Sequence, residues 1–379
     1  MLSFNWEKAL LCAVVFVIGK ANAQEAPSAW QALMARMQQA KDTVGDKLPE
    51  VAVEPAVRHL VDEIPPSVKT AQARFITLSV ENDKFGNGTD KDYTNGLRLT
   101  YYNTATKQPF YVQWIDRLVP AYEHNESSNS YFTFGHNLYS PKDITEDFLN
   151  REDRPYAAFL YASAGVNTLT YDHVDNVELT LGWVGPSALG EPIQKRFHKL
   201  IGSDTPSGWR FQLKDEPVLM LSWERNWPQY WAATIENDWF VRFAPHVGLT
   251  LGNVYTYANA GFTIDLTPKA LRWQTQPVRV RPAIPGSGYF ERASEAWSWM
   301  VFLGWDTRLM GRNLFLDGNT FKESHRVGRQ WWVHDAALGV TASYDNWRAS
   351  YTLNWRSKEF HSPLADDQVF GSLSLTYQF

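Results

Sequence analysis

The sequence predicts an all-β protein that crosses a membrane as an antiparallel β-barrel of about 12 strands, with a short helical N-terminal extension. Three observations lead to this fold class. Many segments of about ten residues alternate apolar and polar side chains, which is the pattern of barrel strands. After residue 23, no apolar stretch approaches the roughly 18 to 20 residues that a spanning helix needs. Aromatic residues form 15% of the 379 residues, a load that suits the two interfacial girdles of a barrel.

Residues 1–23 have the features of a secretory signal peptide. Lys8 precedes an apolar run, and the small residues around Ala23 form a cleavage site. Cys12 is the single cysteine and lies within this signal, so the exported chain would have no disulfide, thiol nucleophile or cysteine-ligated metal. Residues 24–73 carry apolar residues at helical spacing, and we predict a helical or flexible periplasmic extension there.

From residue 74 to residue 379 the apolar period changes from about 3.6 to 2, and this range is the predicted barrel. Within residues 76–81, for example, the even-numbered side chains are apolar and the odd-numbered ones are polar. The last seven residues alternate strictly and end on Phe379, which is typical of the C-terminal assembly signal of bacterial outer-membrane barrels. We therefore place the protein in the outer membrane of a Gram-negative bacterium. The weakest candidate strands lie near residues 110–114 and 131–138.

Composition and motifs restrict the function. The chain has 36 Lys and Arg against 41 Asp and Glu, and this slightly acidic balance argues against a nucleic-acid partner, which needs a basic face. Neither the Gly-x-Ser-x-Gly motif of serine hydrolases nor the His-Glu-x-x-His motif of zinc proteases occurs. A hydrolase of this sequence would need another kind of site.

Polar residues cluster around the predicted turn between the first two strands. Asn82 and Asp83 end the first strand, and Thr94 lies near the start of the second. A carboxylate, an amide and a hydroxyl at the same end of adjacent strands could converge on a hard cation. The alternative is an Asx-rich hairpin with purely local contacts. Strand parity, continued from Glu81, predicts that Asp83 lies on the lumenal face.

His198 is the best candidate for a general base among the nine histidines. It lies in a short helical piece, residues 194–202, outside the predicted strands. Imidazole is the side chain that titrates closest to neutral pH, so this histidine could accept a proton from water.

Five ordered motifs with consistent spacing support a resemblance. They are Ser79-Val80-Glu81-Asn82-Asp83, Asp92-Tyr93-Thr94-Asn95-Gly96, Asp153-Arg154-Pro155-Tyr156-Ala157, Phe197-His198-Lys199-Leu200-Ile201-Gly202, and Gly208-Trp209-x-x-Gln212-Leu213-Lys214-Asp215-Glu216-Pro217. Together they resemble the outer-membrane lipid A 3′-O-deacylase family. The resemblance covers residues 74–379 and leaves the extension 24–73 unmatched.

The resemblance implies a barrel whose active site lies at its outer edge, between the barrel wall and the lipid leaflet, and which depends on calcium. The family's active-site residues are matched by Asn82, Asp83, Thr94 and His198. A lysine of the family site is matched best by Lys142, although Lys107 lies in the same interval.

These matches imply a hydrolase that removes the 3′-linked acyloxyacyl chain of lipid A. His198 would activate water as the general base, and a calcium ion (Ca2+) held by Asp83 would polarise the ester carbonyl. Asn82 and Lys142 would donate to the developing oxyanion, a contribution of roughly 3 kcal/mol per donor. The missing serine and cysteine motifs agree with direct attack by water. We expect a monomer.

Two other functions fit the same sequence. A barrel phospholipase that acts on glycerophospholipids would use the same base and calcium ion. A non-enzymatic, porin-like barrel would need no site at all.

Overall fold

The computed structural model describes residues 72–86, 92–104, 112–119, 122–235, 239–267, 274–280 and 297–379, with single positions at 68, 70, 282, 286, 287, 289 and 290. The predicted signal peptide, nearly all of the predicted extension and Lys107 lie outside these residues.

Alternating sequence produces long antiparallel strands in the described chain. Their bounds are β1 (Arg74–Asn82), β2 (Asp92–Asn103), β3 (Asn129–Ser140), β4 (Ala157–Leu169), β5 (Val174–Val184), β6 (Glu216–Asn226), β7 (Trp231–Ile235), β8 (Trp239–Gly252), β9 (Tyr255–Thr267), β10 (Ser298–Asn313), β11 (Trp332–Tyr344), β12 (Trp347–Arg356) and β13 (Gln368–Gln378).

Strand pairing closes these strands into a barrel. Apart from β6 and β7, strands that follow each other in the chain pair antiparallel, and two further pairings, β1 with β13 and β6 with β8, close the ring. The short β7 pairs only with the start of β8 and stands outside the ring. The closed ring therefore has the 12 strands that the sequence predicts.

Among the described residues, three short helices accompany the strands: α1 (Val112–Leu118), α2 (Gly190–Ile201) and α3 (Leu314–Asp317). None of the described helices is long and apolar enough to cross a membrane. The candidate strand near residues 110–114 was wrong, because α1 occupies this segment. Val112, Ile115 and Val119 recur at helical spacing and pack in one apolar cluster, so a period of 3 to 4 prevails over alternation.

The two ends of the barrel differ. The end near Phe379 has the tight turns 170–173 and 345–346 and the longer connections 104–128 and 268–297, whereas the end near Asn82 carries the loops 141–156, 185–215 and 314–331. The first barrel strand begins and the last one ends at the Phe379 end, and outer-membrane barrels keep both of these chain ends on the periplasmic side. The Asn82 end is therefore the extracellular end.

Side chains alternate between lumen and lipid as predicted. In β1, Thr77, Ser79 and Glu81 are at most 3% exposed and face inward, whereas Ile76 and Leu78 are exposed by 42% and 41% and face outward. The outward set forms the apolar band that contacts lipid.

A segment between β9 and β10 fills part of the lumen, which the sequence did not indicate. We call its described residues, 274–280, 282, 286, 287, 289 and 290, the plug. Gln274 forms an antiparallel bridge with Phe290, so the two arms of the plug run side by side. Ser79 Oγ donates to Val278 O at 2.7 Å, and Arg279 Nε donates to Glu81 Oε1 at 3.1 Å. The plug is therefore bound to the inner wall at β1.

Buried ion pairs and aromatic rings occupy much of the remaining lumen. The ion pairs include Arg98–Glu178, Arg242–Asp265 and Arg356–Asp335, at 2.8, 3.4 and 2.9 Å. Near the extracellular end, an inward-facing cluster includes Tyr93, Tyr139, Phe159, Tyr255, Phe315 and Phe370. Side chains therefore occupy much of the lumen in the described part of the chain, and a cavity of about 70 Å³ remains beside the plug.

Removing the carboxylate that holds the plug should destabilise the barrel. We expect Glu81→Leu to lower the unfolding temperature, because breaking a buried ion pair costs about 3 to 5 kcal/mol. The double variant Glu81→Leu/Arg279→Leu should recover much of the loss, since no charge is then left unpaired. Thermal unfolding in detergent at one fixed scan rate measures both. Equal losses in the single and double variants would contradict the pairing.

Candidate active site

The outer face of the barrel is covered at the extracellular end of β3. Phe132 and Phe134 face outward and are 51% and 52% exposed. His136, Leu138 and Ser140 continue the same outward series, yet they are 6%, 3% and 0% exposed. Alternation fixes their direction, so another part of the chain must lie against the outside of the wall here.

Helix α2 and the turn before it provide this cover. His136 Nε2 lies 2.8 Å from Ala188 O, and Gln194 Nε2 donates to Ser140 Oγ at 3.0 Å. The helix buries one stripe, Gly190, Gln194 and His198, at a spacing of four residues. A Cβ on Gly190 would lie 2.5 Å from Ala158 Cβ, so only glycine permits this close approach to β4.

Trp209 fixes the helix from the side. This indole is fully buried, and its Nε1 donates to Gln194 Oε1 at 2.7 Å. Its ring centroid lies 4.8 Å from that of Tyr156, whose hydroxyl donates to Ile144 O at 2.9 Å. Gln194 thereby bridges Trp209 on one side and Ser140 of the barrel wall on the other.

The buried stripe of α2 ends at His198, which is 3% exposed. Its Nδ1 lies 2.6 Å from Asp204 O. A carbonyl oxygen only accepts hydrogen bonds, so Nδ1 carries the hydrogen and the basic lone pair of the neutral imidazole is on Nε2. Gly202, with φ of 68°, ends the helix and turns the chain so that Asp204 can reach His198.

Asn82 and Asp83 lie where β1 ends. Asn82 belongs to the outward series of β1 but is only 6% exposed. Another part of the chain must therefore cover it, as is the case at the end of β3. A 3₁₀ turn starts at Asp83, which is 3% exposed. The backbone N of Lys84 donates to both Asn82 Oδ1 and Asp83 Oδ1 at 2.9 Å, so these two oxygens converge. Alternation ends where this turn begins, so the strand pattern does not fix the direction of the Asp83 side chain.

One hydrogen bond connects this turn with the end of α2. Lys84 Nζ donates to Ser203 Oγ at 2.7 Å, and Ser203 N donates to His198 O at 2.9 Å. Residues from β1 and from the 185–215 loop, far apart in sequence, therefore meet on the outer side of the wall. The turn that follows Asn82 and the end of α2 at His198 are thus joined through Lys84 and Ser203.

Thr94 lies in β2, close to Asn82. Asn82 pairs with Asn95, and the register between β2 and β3 shifts between Tyr93 and Asn95, that is, at Thr94. The side chain of Thr94 lies outside the described part of the chain.

Lys142 lies in the loop that follows β3. Its Nζ donates to Asp366 Oδ2 at 2.7 Å, and each side chain is 42% exposed. Asp366 precedes β13, which pairs with β1, so this ion pair links loops that flank the ends of β1 and β2. An ion pair this exposed contributes only about 0 to 1 kcal/mol, so the ammonium group can exchange partners.

The loop that carries Asp366 is held by buried charges. Arg154 Nη1 lies 3.2 Å from Glu359 Oε2, and Arg356 Nη1 lies 3.7 Å from Glu359 Oε1. Burial by itself would raise the pKa of Glu359, but the charges of Arg154 and Arg356 outweigh it and hold this pKa below its usual range. Glu359 is therefore ionised at neutral pH and anchors the loop.

The oxygen donors beside Asp83 suit a hard cation only in part. Among the described residues, no group of three or more histidine, cysteine, aspartate or glutamate side chains could hold a metal ion. Asp83 provides a carboxylate and Asn82 an amide oxygen that converges with it. Calcium takes six to eight oxygens, so backbone carbonyls, water or substrate would have to complete such a site.

Several supporting residues were not singled out from the sequence as parts of the site. Gln194 and Ser203 connect α2 to the wall and to Lys84, and Trp209 was noted only within a motif. The spacing of Gly190, Gln194 and His198 is the signal that could have identified the buried stripe. This signal is weak, because small and polar residues in a helix usually indicate the solvent face.

Comparisons with known proteins agree with this architecture. The sequence model of the family described as "Outer membrane protein LpxR" matches residues 51–379. The structure of LpxR from Salmonella typhimurium aligns with a TM-score of 0.64 at 22% identity, covering 80% of this chain and 99% of that chain. This similarity shows a shared barrel fold.

A second solved structure is much less similar. The translocator domain of the autotransporter NalP from Neisseria meningitidis gives a TM-score of 0.37 at 10% identity, with 92% of this chain and 97% of that chain covered. None of the curated proteins matches the sequence.

Trp209→Ala should release α2 from the wall without unfolding the barrel. Truncating a buried tryptophan costs about 3 kcal/mol or more, which raises the undocked population about a hundredfold. We expect faster trypsin cleavage at Lys195, Arg196 and Lys199, with unchanged heat-modifiable migration of the barrel. Trp297→Ala is the control, because Trp297 is 68% exposed. An unchanged cleavage rate in Trp209→Ala would show that the indole does not hold the helix.

Proposed function

The chain belongs to the family of the outer membrane protein LpxR, and from that membership we propose that it hydrolyses the ester of the 3′-linked acyloxyacyl chain of lipid A. One observation carries the proposal. A histidine with its Nδ1 hydrogen fixed by a carbonyl lies on the outer side of the barrel wall, in a segment whose Ser203 is hydrogen-bonded to Lys84, the residue after Asn82 and Asp83. An ester of a membrane lipid can reach that side without entering the lumen.

His198 would act as the general base. Its Nε2 would take a proton from a water molecule while the water oxygen attacks the ester carbonyl carbon. Asp204 O, which accepts from Nδ1, would hold the ring in this tautomer and stabilise the imidazolium that forms. Collapse of the tetrahedral intermediate would break the bond to the sugar oxygen, which takes the proton back from Nε2. The products would be a free carboxylic acid and a 3′-hydroxyl group.

Asn82 and Lys142 would stabilise the oxyanion. Asn82 Oδ1 accepts from Lys84 N, so its amide NH₂ group, the donor end, is directed to the opposite side. Lys142 could turn from Asp366 toward the substrate at little cost, because this ion pair is exposed. Each donor would contribute roughly 3 kcal/mol to transition-state binding.

Calcium is part of the proposal. Asp83 would hold the ion, with the amide oxygen of Asn82, backbone carbonyls and the hydroxyl of Thr94 as further ligands. When bound, it would supply Lewis-acid polarisation of the ester carbonyl. We further propose that the protein acts as a monomer, since the residues assigned to the site come from one chain.

Removing the base or the carboxylate should abolish hydrolysis while the barrel still assembles. We expect His198→Ala to lower kcat by at least about 100-fold, the usual contribution of a general base. Asp83→Ala should abolish hydrolysis as well, because the proposed calcium ligand is lost. The measurement is the rate of release of the acyloxyacyl group from lipid A by purified protein in detergent. His361→Ala is the control, because His361 lies in the β12–β13 loop at the same end. Near-normal turnover by either site variant would contradict the assignment.

Substrate class and ion dependence can be tested together. Purified protein is incubated with lipid A or with phosphatidylethanolamine, each with and without a chelator, and the products are analysed by mass spectrometry. We expect the loss of the 3′ acyloxyacyl mass from lipid A alone, its disappearance with chelator and its recovery with added calcium. Release of fatty acid from phosphatidylethanolamine would indicate a phospholipase. Unchanged lipid A in the presence of calcium would contradict the proposed activity.

A further inference from the structure

A recess at the extracellular end of β10 is lined by arginines that the proposed hydrolysis does not use. Its volume is about 510 Å³, and its lining consists of Gly311, Arg312, Asp317, Arg326, Val327, Gly328 and Arg329. Three arginines face one carboxylate, so the lining has an excess of two positive charges.

The backbone holds two of these guanidinium groups. Arg312 donates from Nε to Asn253 O at 2.7 Å and from Nη2 to Gly318 O at 3.1 Å and Thr320 Oγ1 at 2.8 Å. These acceptors are uncharged, so they fix the direction of Arg312 without neutralising it. Arg329 is held by Met310 O at 3.2 Å and by Asp317 at 2.8 Å.

Arg326 is the third cation. Its side chain is exposed and has no hydrogen-bond or ion-pair partner among the described residues. Gly328 has no side chain, and a Cβ built there would lie 3.8 Å from its nearest neighbour, His361. The recess is therefore open at this point of its wall. The recess therefore combines one fixed arginine without a counter-charge, one exposed arginine and open space between them.

The level of the recess in the membrane indicates what kind of anion it can bind. Leu309 of β10 faces outward, is 41% exposed and pairs with Trp332 of β11. Trp331 and Trp332 are 58% and 57% exposed, as expected for the aromatic girdle at the lipid–water boundary. Arg312 is three residues beyond Leu309, within about 10 Å along the strand, so the recess lies at the level of lipid headgroups.

We propose that this recess binds the phosphate group of a lipid in the outer leaflet, at a site separate from the hydrolytic site. Arginine matches phosphate through paired, charge-assisted hydrogen bonds. The acyl chains of that lipid would lie along the apolar band below, beginning at Leu309. Three strands, β11 to β13, separate β10 from β1, which places the recess roughly 19 Å along the wall from Asn82. Binding of the phosphate in this recess does not depend on the proposed hydrolysis.

The test uses hexadecyl phosphate, which carries an acyl-like chain and a phosphate but no carboxylic ester. The full protein in neutral detergent is titrated with it, and hydrogen–deuterium exchange of residues 324–331 is followed. We expect slowed exchange in the wild type. In Arg326→Glu and Arg312→Gln the apparent affinity should fall about tenfold, because a charge-assisted hydrogen bond is lost. Arg151→Glu, an exposed position at the same end outside the recess, should behave as the wild type.

Three results would overturn the proposal. Unchanged protection in both recess variants would mean that the phosphate binds elsewhere. Equal protection by hexadecyl maltoside would mean that the chain alone is adsorbed. Equal protection by inorganic phosphate at the same concentration would mean that the recess is a site for free anions and not for a lipid. Because the probe cannot be hydrolysed, failure of the lipid A assay leaves these results unaffected.

Discussion

The proposed catalytic arrangement depends on α2 being docked against the outside of the barrel wall. A membrane barrel normally presents only apolar side chains to lipid, yet here Ser140 and His136 face outward and are buried beneath the 185–215 loop. Asn82 also faces outward and is buried. Gln194 forms a hydrogen bond with Ser140, and Trp209 forms one with Gln194. Gly190, which has no side chain, allows α2 to approach β4 closely. Polar groups can therefore be kept on the lipid side without the large cost of exposing them to hydrocarbon. His198, at the end of the same stripe, is fixed by the same contacts.

The lumen has the opposite role. The plug, the paired arginines and the aromatic cluster occupy much of the inside of the ring, so the described part of the lumen supports the wall from within. Buried ion pairs of this kind add little net stability, but removing one partner is costly. A rigid wall is useful here, because residues of β1, β2 and the 185–215 loop must remain in register across the sheet for the proposed chemistry.

Local patterns were sufficient to predict part of this structure. Alternation identifies the strands because inward and outward positions repeat every two residues, and it places Asn82 near Thr94. Two features were not predictable. The plug has no periodic pattern and is held by contacts as distant as Glu81 with Arg279. Helix α2 has the opposite orientation to the one that its sequence suggests. Its apolar residues Ile193, Phe197 and Leu200 suggest a core-facing stripe, yet they are 43%, 45% and 82% exposed. The stripe of small and polar residues is buried instead. The rule that apolar stripes face the protein core fails where lipid is the solvent.

The central claim, that the site lies on the lipid side of the wall, can be tested by spin-label accessibility. A single label is placed at Leu200→Cys in a chain whose only native cysteine, Cys12, is replaced or absent. Labels at Phe134→Cys in the apolar band and Lys358→Cys in an extracellular loop are the references. In bilayers, the account predicts that the label at position 200 collides more with oxygen than with a water-soluble nickel complex, as at 134. Preference for the nickel complex, as at 358, would contradict it.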